Sequence, residues 1–262
     1  MAHEAPFRIL VVVPTLGARL DTLERTLDSI DAQHEVGVDV LVVAPAANEP
    51  LRTVVGRHRA RMVLDGGHIS AAVNCGFAQA GPEHRYLAWI GDDDLLYPGA
   101  LARSSALLER QPGSVATFGS CDYIDLAGRL LFTRRPPPGA AWWLQFVPGL
   151  IKQETCLFRK DAVVAVGGLN VNLRYAMDLD LLLRLRRIGS FERVEMTLAA
   201  FCWHPGSITI ANREVSFAEA QRVQRREAGG IVRLLNPVAQ PLFRQLLLAM
   251  SKRINTRHLR DA

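Results

Sequence analysis

Apolar residues along the chain fall in short unbroken runs separated by amphipathic stretches. Residues 8–13 (RILVVV) are largely β-branched and run up to Pro14, which suits a strand buried on both faces. In residues 19–32, Leu20, Leu23, Leu27 and Ile30 recur at helical spacing. Residues 38–43 (VDVLVV) predict a second buried strand and 61–64 a short third, with Asp65-Gly66-Gly67 as the turn that follows. Ser70 is the expected N-cap of a helix whose Val73 and Phe77 face the core. Residues 86–90 (YLAWI) predict another buried strand, which runs into Gly91-Asp92-Asp93-Asp94; Pro98 then suits the first position of a helix through Glu109. The order strand, helix, strand, strand, helix, strand, helix predicts an open α/β sheet with mainly parallel strands. Such sheets bind ligands beyond the carboxyl ends of their strands, where both Pro14-Thr15 and the three aspartates fall.

The second half is less regular. Residues 115–124 and 129–132 predict strands joined by a turn at Asp125–Gly128, and 134–140 (RRPPPGA) is too proline-rich for either regular structure. Residues 178–188 (DLDLLLRLRRI) predict a helix with acids in its first turn and arginines later, the order that complements a helix dipole. Residues 191–203 carry one or two strands. From residue 216 the pattern is helical and basic, broken at Gly229-Gly230 and Asn236-Pro237. Trp142 and Trp143 can stack on a sugar or fill a core, and the core is the favoured expectation.

Composition narrows the class. Of the 262 residues, 49% are hydrophobic and 22% charged, which excludes a disordered or fibrous chain. The net charge of +5 is mildly basic and concentrates towards the C-terminus. The four cysteines (Cys75, Cys121, Cys156, Cys202) are isolated, so buried free thiols in a reducing compartment are expected rather than a zinc site. The N-terminal residues carry no apolar core of a signal peptide and no 18-residue apolar run exists, so a soluble, cytoplasmic protein is expected.

Three adjacent aspartates after a buried strand repel one another unless a positive charge sits among them. A divalent cation bound by a few carboxylates and by substrate phosphates is one answer, and a solvated acidic turn is the other. Four stretches around this turn resemble, in order, the family-two glycosyltransferases, inverting enzymes of the GT-A fold. They are Val12-Val13-Pro14-Thr15; residues 66–81 (GGHISAAVNCGFAQAG), with an Ala-Ala-x-Asn-x-Gly core; residues 86–101 (YLAWIGDDDLLYPGAL), with a DxD-type motif; and residues 153–185, ending RYAMDLDLLLRL. Residues 203–208 (WHPGSI) resemble a fifth, late segment. The resemblance spans about residues 7–210 and implies an α/β GT-A nucleotide-sugar-binding fold, with a mixed, mainly parallel sheet flanked by helices.

It also implies roles. Asp93 is the first choice for contact with Mn²⁺ or Mg²⁺, with Asp94 beside it; Asp92 meets either the metal or the donor ribose. His204 closes over the diphosphate or metal. Asp178 is the base that takes the acceptor proton, a role for a positioned carboxylate. Asp180 points about 200° away on the same helix and is expected to cap or pair within the structure. Pro14, Thr15, Arg19, Asp65 and Asn74 are implied donor contacts, and Gln153, Glu154 and Trp203 lie on the acceptor side.

The implied reaction moves a sugar from a nucleotide-diphosphate sugar to a glycan, lipid-linked or small-molecule acceptor, as in cell-envelope polysaccharide or glycoconjugate synthesis. Three positions depart from the family pattern. The segment after the second strand (Val43-Ala44-Pro45-Ala46-Ala47) lacks the usual acid, Gly91 stands where many members have the first Asp of the metal motif, and Met177 replaces the Glu that commonly precedes the base. The alternatives are a metal-dependent nucleotidyl- or phosphotransferase and a catalytically silent nucleotide- or glycan-binding module. Residues 1–215 are expected to form the catalytic domain and 216–262 a basic helical C-terminal extension. That extension reads as a helical cap with a solvated basic face, or as a peripheral contact with anionic lipid. No nucleic-acid-reading motif is present, so no nucleic acid partner is expected.

Overall fold

The computed structural model describes residues 7–203 and 213–229. Strands β1 (Arg8–Pro14), β2 (Gly37–Ala44), β3 (Ala60–Leu64) and β4 (His84–Trp89) lie side by side in the order β3-β2-β1-β4, all parallel. Their side chains alternate between two cores. Leu10, Val12, Leu41 and Val43 enter one; Ile9, Val11, Val13, Val40 and Val42 enter the other. Both faces are covered, as the unbroken β-branched runs predict.

Helices α1 (Leu20–Asp31), α2 (Glu49–Arg57) and α4 (Ala100–Arg110) cover the second face through Leu23, Leu27, Ile30, Leu51, Val54, Val55, Leu101 and Leu108. The first face takes α3 (Ile69–Phe77) through Ala72, Val73 and Phe77. On α3, a methyl group at Gly76 would lie 2.5 Å from Val12 Cγ1, so the helix sits on β1 at a distance only glycine permits.

Beyond β4 the sheet continues through β8 (Leu157–Arg159), β6 (Ser114–Ile124), β9 (Ser190–Cys202) and β5 (Leu95–Leu96), with β7 (Leu130–Arg134) also on β6. β8 runs antiparallel to both β4 and β6, and β9 runs parallel to β6. The short helices α5 (Ala140–Trp143) and α6 (Lys160–Ala165) follow β7 and β8. Helix α7 (Met177–Arg186) packs on the first face with α8 (Arg213–Glu227), whose Ala220 and Val223 join the same core as Leu179 and Leu182. Among the described residues no helix is long and apolar enough to cross a membrane, and all four cysteines are free thiols.

Several local expectations change. Helix α2 was not predicted, although Asn48 caps it by accepting the Leu51 N–H at 2.9 Å and Pro50 sits in its first turn. His68, not Ser70, is the N-cap residue of α3; Ser70 is buried inside the helix and donates to the Leu173 carbonyl at 3.2 Å. Pro98 lies outside α4, which starts after Gly99 in the left-handed conformation (φ 74°). The tryptophans are not core residues: Trp142 is 47% and Trp143 38% exposed, the two rings meeting edge to face at 4.7 Å.

Candidate active site

The carboxyl ends of β1 and β4 meet the Gly91–Asp94 turn. Pro14 is the last β1 residue in register with β2, and the Thr15 N–H then donates to the Val43 carbonyl at 2.9 Å. The Thr15 hydroxyl, oriented by the Gly17 N–H at 2.9 Å, donates to Asp92 Oδ2 at 2.6 Å. The Arg19 guanidinium reaches Asp92 Oδ1 at 3.1 Å and Asp93 Oδ2 at 2.9 Å. Burial pushes the Asp92 carboxyl above its ordinary range, against the pull of Thr15 and Arg19. For Arg19, burial opposes the charge, but Asp93 and Asp92 outweigh it and raise its pKa.

Asp94 behaves differently. It is 3% exposed, accepts the Cys202 N–H on Oδ1 at 2.8 Å, and its carbonyl accepts from the Thr26 hydroxyl at 2.8 Å. It therefore ties the turn to the end of β9 and to α1. Burial, then the negative charges of Glu154 and Asp93, push its carboxyl well above the ordinary range. Gly91 leaves room for these side chains, since a methyl group there would lie 2.8 Å from Asp94 Oδ2 and 3.2 Å from Asp93 Oδ1 and would make them shift.

The neighbouring wall is built from the segment before β8 and from α7. Glu154 is buried, with Oε1 3.3 Å from Lys152 Nζ; among the described residues its Oε2 and Gln153 Oε1 find no hydrogen-bond partner. The Lys152 ammonium lies 3.7 Å from the centre of the Phe201 ring and 5.7 Å from that of Tyr123. Burial opposes its charge, but Glu154 and Tyr123 lead the groups that hold its pKa above the usual lysine value. Asp178, in the first turn of α7, is pushed up by burial and by Glu154; the Leu179 N–H, Lys152 and its own N–H pull the other way. The Lys152–Glu154 pair thus acts electrostatically on both Asp94 and Asp178.

Three side chains fix α7. Glu219 of α8 accepts the N–H groups of Arg174, Tyr175 and Ala176 at 3.1, 2.6 and 2.8 Å, closing the helix start. Asp180 is fully buried and pairs with Arg184 and Arg226, the internal pairing expected for it. Arg184 also donates to the Val166 and Gly168 carbonyls. Asn74 belongs to the same framework. Its amide nitrogen donates to the Leu169 carbonyl at 2.8 Å and its oxygen accepts the Leu169 N–H at 2.9 Å, so its side chain joins α3 to the loop ahead of α7.

Asp65 stands just beyond β3 and accepts the Gly67 N–H at 2.7 Å, which shapes the Gly66-Gly67 turn. Trp203 follows β9, with its N–H on the Ile124 carbonyl at 2.8 Å and its side chain exposed. His204 lies outside the described residues. The structure therefore brings Pro14, Thr15, Arg19, Asp92 and Asp93 together at the strand ends. Asp94, Glu154 and Asp178 form an adjoining group around Lys152. Lys152, Glu219 and Arg226 were not anticipated. A lysine between Ile151 and the Gln153-Glu154 pair was the available signal for the first; nothing local marks the other two.

Among the described residues no group of three or more His, Cys, Asp or Glu side chains is arranged to hold a metal ion. Asp92 and Asp93, whose side chains are 14% and 13% exposed, fit a cation that takes a few carboxylate oxygens and completes its shell with phosphate and water. Asp94, fastened to Cys202, is less available.

A sheet of parallel strands with an acidic turn at its carboxyl edge and an acidic helix beside it defines an α/β fold whose candidate site lies at the strand ends. The chain belongs to glycosyl transferase family 2, whose family model matches residues 10–156, more than half its length. Its fold is the GT-A fold. The structure resembles that of residues 1–349 of Staphylococcus aureus TarS (TM-score 0.62, 14% identity), covering 84% of this chain and 65% of that one. The same TarS fragment in complex with UDP-GlcNAc gives a TM-score of 0.64 at 14% identity, with 84% and 66% covered. The mannosyltransferase PcManGT from Pyrobaculum calidifontis, in complex with GDP-Man and Mn²⁺, gives 0.62 at 16% identity, with 96% and 79% covered. The chain spans just under two thirds of the TarS fragment. No curated protein matches it in sequence.

Proposed function

We propose that this glycosyltransferase transfers a sugar from a nucleoside-diphosphate sugar to an acceptor hydroxyl with inversion at C1, Asp178 serving as base. The observation that carries this reading is the position of Asp178: a half-buried carboxylate on a capped helix, acted on by the same Lys152–Glu154 pair that acts on Asp94 in the acidic turn. The acceptor oxygen forms its bond to C1 as its proton passes to the Asp178 carboxylate, and the C1–O bond to the diphosphate breaks on the opposite side. A positioned base of this kind contributes about 10²–10⁴-fold.

Thr15, Arg19, Asp65 and Asp92 line the strand ends and are proposed to hold the donor, with Pro14 setting the edge of the site. Asn74 is proposed to act on the donor side through the loop it anchors. Asp93, with Asp92, would hold Mn²⁺ or Mg²⁺, which when bound supplies positive charge to the leaving diphosphate; Asp94 would fix the turn behind them. His204 is proposed to close over this site. Gln153, Glu154 and Trp203 are proposed for the acceptor side, where a glycan or lipid-linked acceptor of envelope polysaccharide synthesis is accommodated. Of the proposed extension, residues 216–262, the part within α8 caps the catalytic domain through Ala220 and Val223, and contact with an anionic membrane surface is proposed only for the basic residues that follow it.

The UDP-GlcNAc and GDP-Man complexes of the structural relatives support a nucleotide-sugar donor, and the Mn²⁺ of the latter supports a divalent metal. The test is a thermal-shift screen of UDP- and GDP-sugars with and without Mn²⁺, followed by NMR of the product anomer from the best donor. Opposite anomeric configuration in donor and product is expected. Retention, or product formation undiminished in Asp178→Asn, would overturn the reading.

A further inference from the structure

Arg19 sits where a cation belongs. Its two terminal nitrogens are divided between two acids, Nη2 at 3.1 Å from Asp92 Oδ1 and Nη1 at 2.9 Å from Asp93 Oδ2. The other Asp92 oxygen is held by the Thr15 hydroxyl at 2.6 Å. Both Asp92 oxygens and one of Asp93 are therefore engaged within the protein. A divalent ion binding this pair meets a positive group already seated on two of the oxygens it needs, and the two repel at close range.

The same side chain is built to leave. Arg19 precedes α1 rather than lying within it, follows Gly17 in the left-handed conformation (φ 68°), and makes no side-chain cap to the helix. Its side chain is 41% exposed, so swinging away costs little desolvation. A guanidinium that releases two carboxylates gains most from two adjacent phosphate oxygens, which it matches in a fork.

We propose that Arg19 is the resident counter-ion of the Asp92–Asp93 pair: it keeps the pair unavailable to free divalent metal and yields it when a diphosphate offers the guanidinium a new partner. The proposal rests on the donor-site reading above and adds an order to it. Metal and diphosphate bind as a coupled pair, each strengthening the other, because both gain from the same displacement of Arg19. The enzyme without nucleotide is then a poor metal binder by construction.

The test is titration with Mn²⁺ alone, following free Mn²⁺ by electron paramagnetic resonance, for the wild type, Arg19→Met and Arg19→Lys, with melting curves to verify folding. Loss of an ion pair that spans two acids is expected to tighten Mn²⁺ binding by Arg19→Met about tenfold, while Arg19→Lys stays near the wild type. Added UDP or GDP is expected to strengthen Mn²⁺ binding more in the wild type than in Arg19→Met. Mn²⁺ binding by Arg19→Met within twofold of the wild type, weaker than it, or absent in both would overturn the proposal. The donor-site reading fails by a separate result, namely that no nucleoside diphosphate or its sugar raises the melting temperature with or without Mn²⁺.

Discussion

The Glu219 carboxylate accepts the backbone N–H of Ala176, two residues ahead of Asp178, and with it those of Arg174 and Tyr175. A side chain from α8 thus closes the start of the helix that carries the proposed base. A carboxylate on the N-cap N–H and on the two N–H groups ahead of it, at the positive end of the helix, is worth about 1 kcal/mol. Glu219→Ala is expected to lower the melting temperature by several degrees and to reduce kcat more than donor affinity, since α7 frays where Asp178 sits. Glu219→Gln, which keeps an acceptor, should recover part of both. Thermal melts and steady-state kinetics check this; an unchanged melt in Glu219→Ala would remove the capping argument.

Asp178 and Asp180 share a helix turn and separate in role. Asp180 is fully buried between Arg184 and Arg226, so Asp180→Asn breaks a buried ion network and is expected to cost about 3–5 kcal/mol of stability. Among the described residues, the leading influences on Asp178 are burial, the Leu179 N–H, Lys152, Glu154 and its own N–H, with no arginine among them. Asp178→Asn should melt at or above the wild-type temperature, bind donor normally, and lose about 10²–10⁴-fold in transfer rate. Equal loss of stability in the two variants would contradict the division.

The difference between these two aspartates also marks the limit of what the sequence makes legible. Helical geometry separates Asp178 from Asp180 by direction, and the β-branched runs of residues 8–13 and 38–43 fix the parallel half of the sheet, because those signals are local. Helix α2 was missed although Asn48 and Pro50 announce it. The Trp142-Trp143 pair departs from the expectation that large aromatics favour cores; here Ala140, at the start of α5, and Leu144, just past its end, are the buried ones. The engagement of Asn74 with Leu169, of Glu219 with α7 and of Lys152 with Glu154 and Phe201 joins distant or irregular segments, and no periodicity encodes it.

Buried carboxyls give the fold a pH dependence of definite sign. The Asp94 carboxyl is raised well above its ordinary value by burial, Glu154 and Asp93. A group raised on folding contributes stability that is fully present below its unfolded pKa and is lost as pH rises through the folded one. Titration of Asp94 therefore favours the folded state on mild acidification from neutral pH. Asp39, lowered mainly by its hydrogen bond from Arg8, opposes this, since its contribution is lost as pH falls through its folded pKa. Asp94→Asn keeps an oxygen for the Cys202 N–H and removes the charge. It is expected to raise stability at neutral pH and to flatten this component. Denaturant melts of both proteins across pH measure it, and a wild-type-like pH slope in Asp94→Asn would exclude Asp94 as its source.

Burial raises the pKa of the proposed base, and Lys152 offsets part of that rise. A base works only when ionised, and the Asp178 carboxyl is raised by burial with Glu154 adding to the shift, while Lys152 pulls it down. Activity should therefore fall with decreasing pH through a limb above the ordinary carboxylate range. Lys152→Met removes a lysine that acts on Asp94, Glu154 and Asp178 together and takes away the ion pair of Glu154 Oε1, so the acid limb of kcat/KM is expected to move to higher pH. Lys152→Arg, which keeps the charge, should leave the limb near its wild-type position even if packing against Phe201 costs some rate. A merely structural lysine would lower activity uniformly at every pH in Lys152→Met, and a pH–rate profile separates the two outcomes.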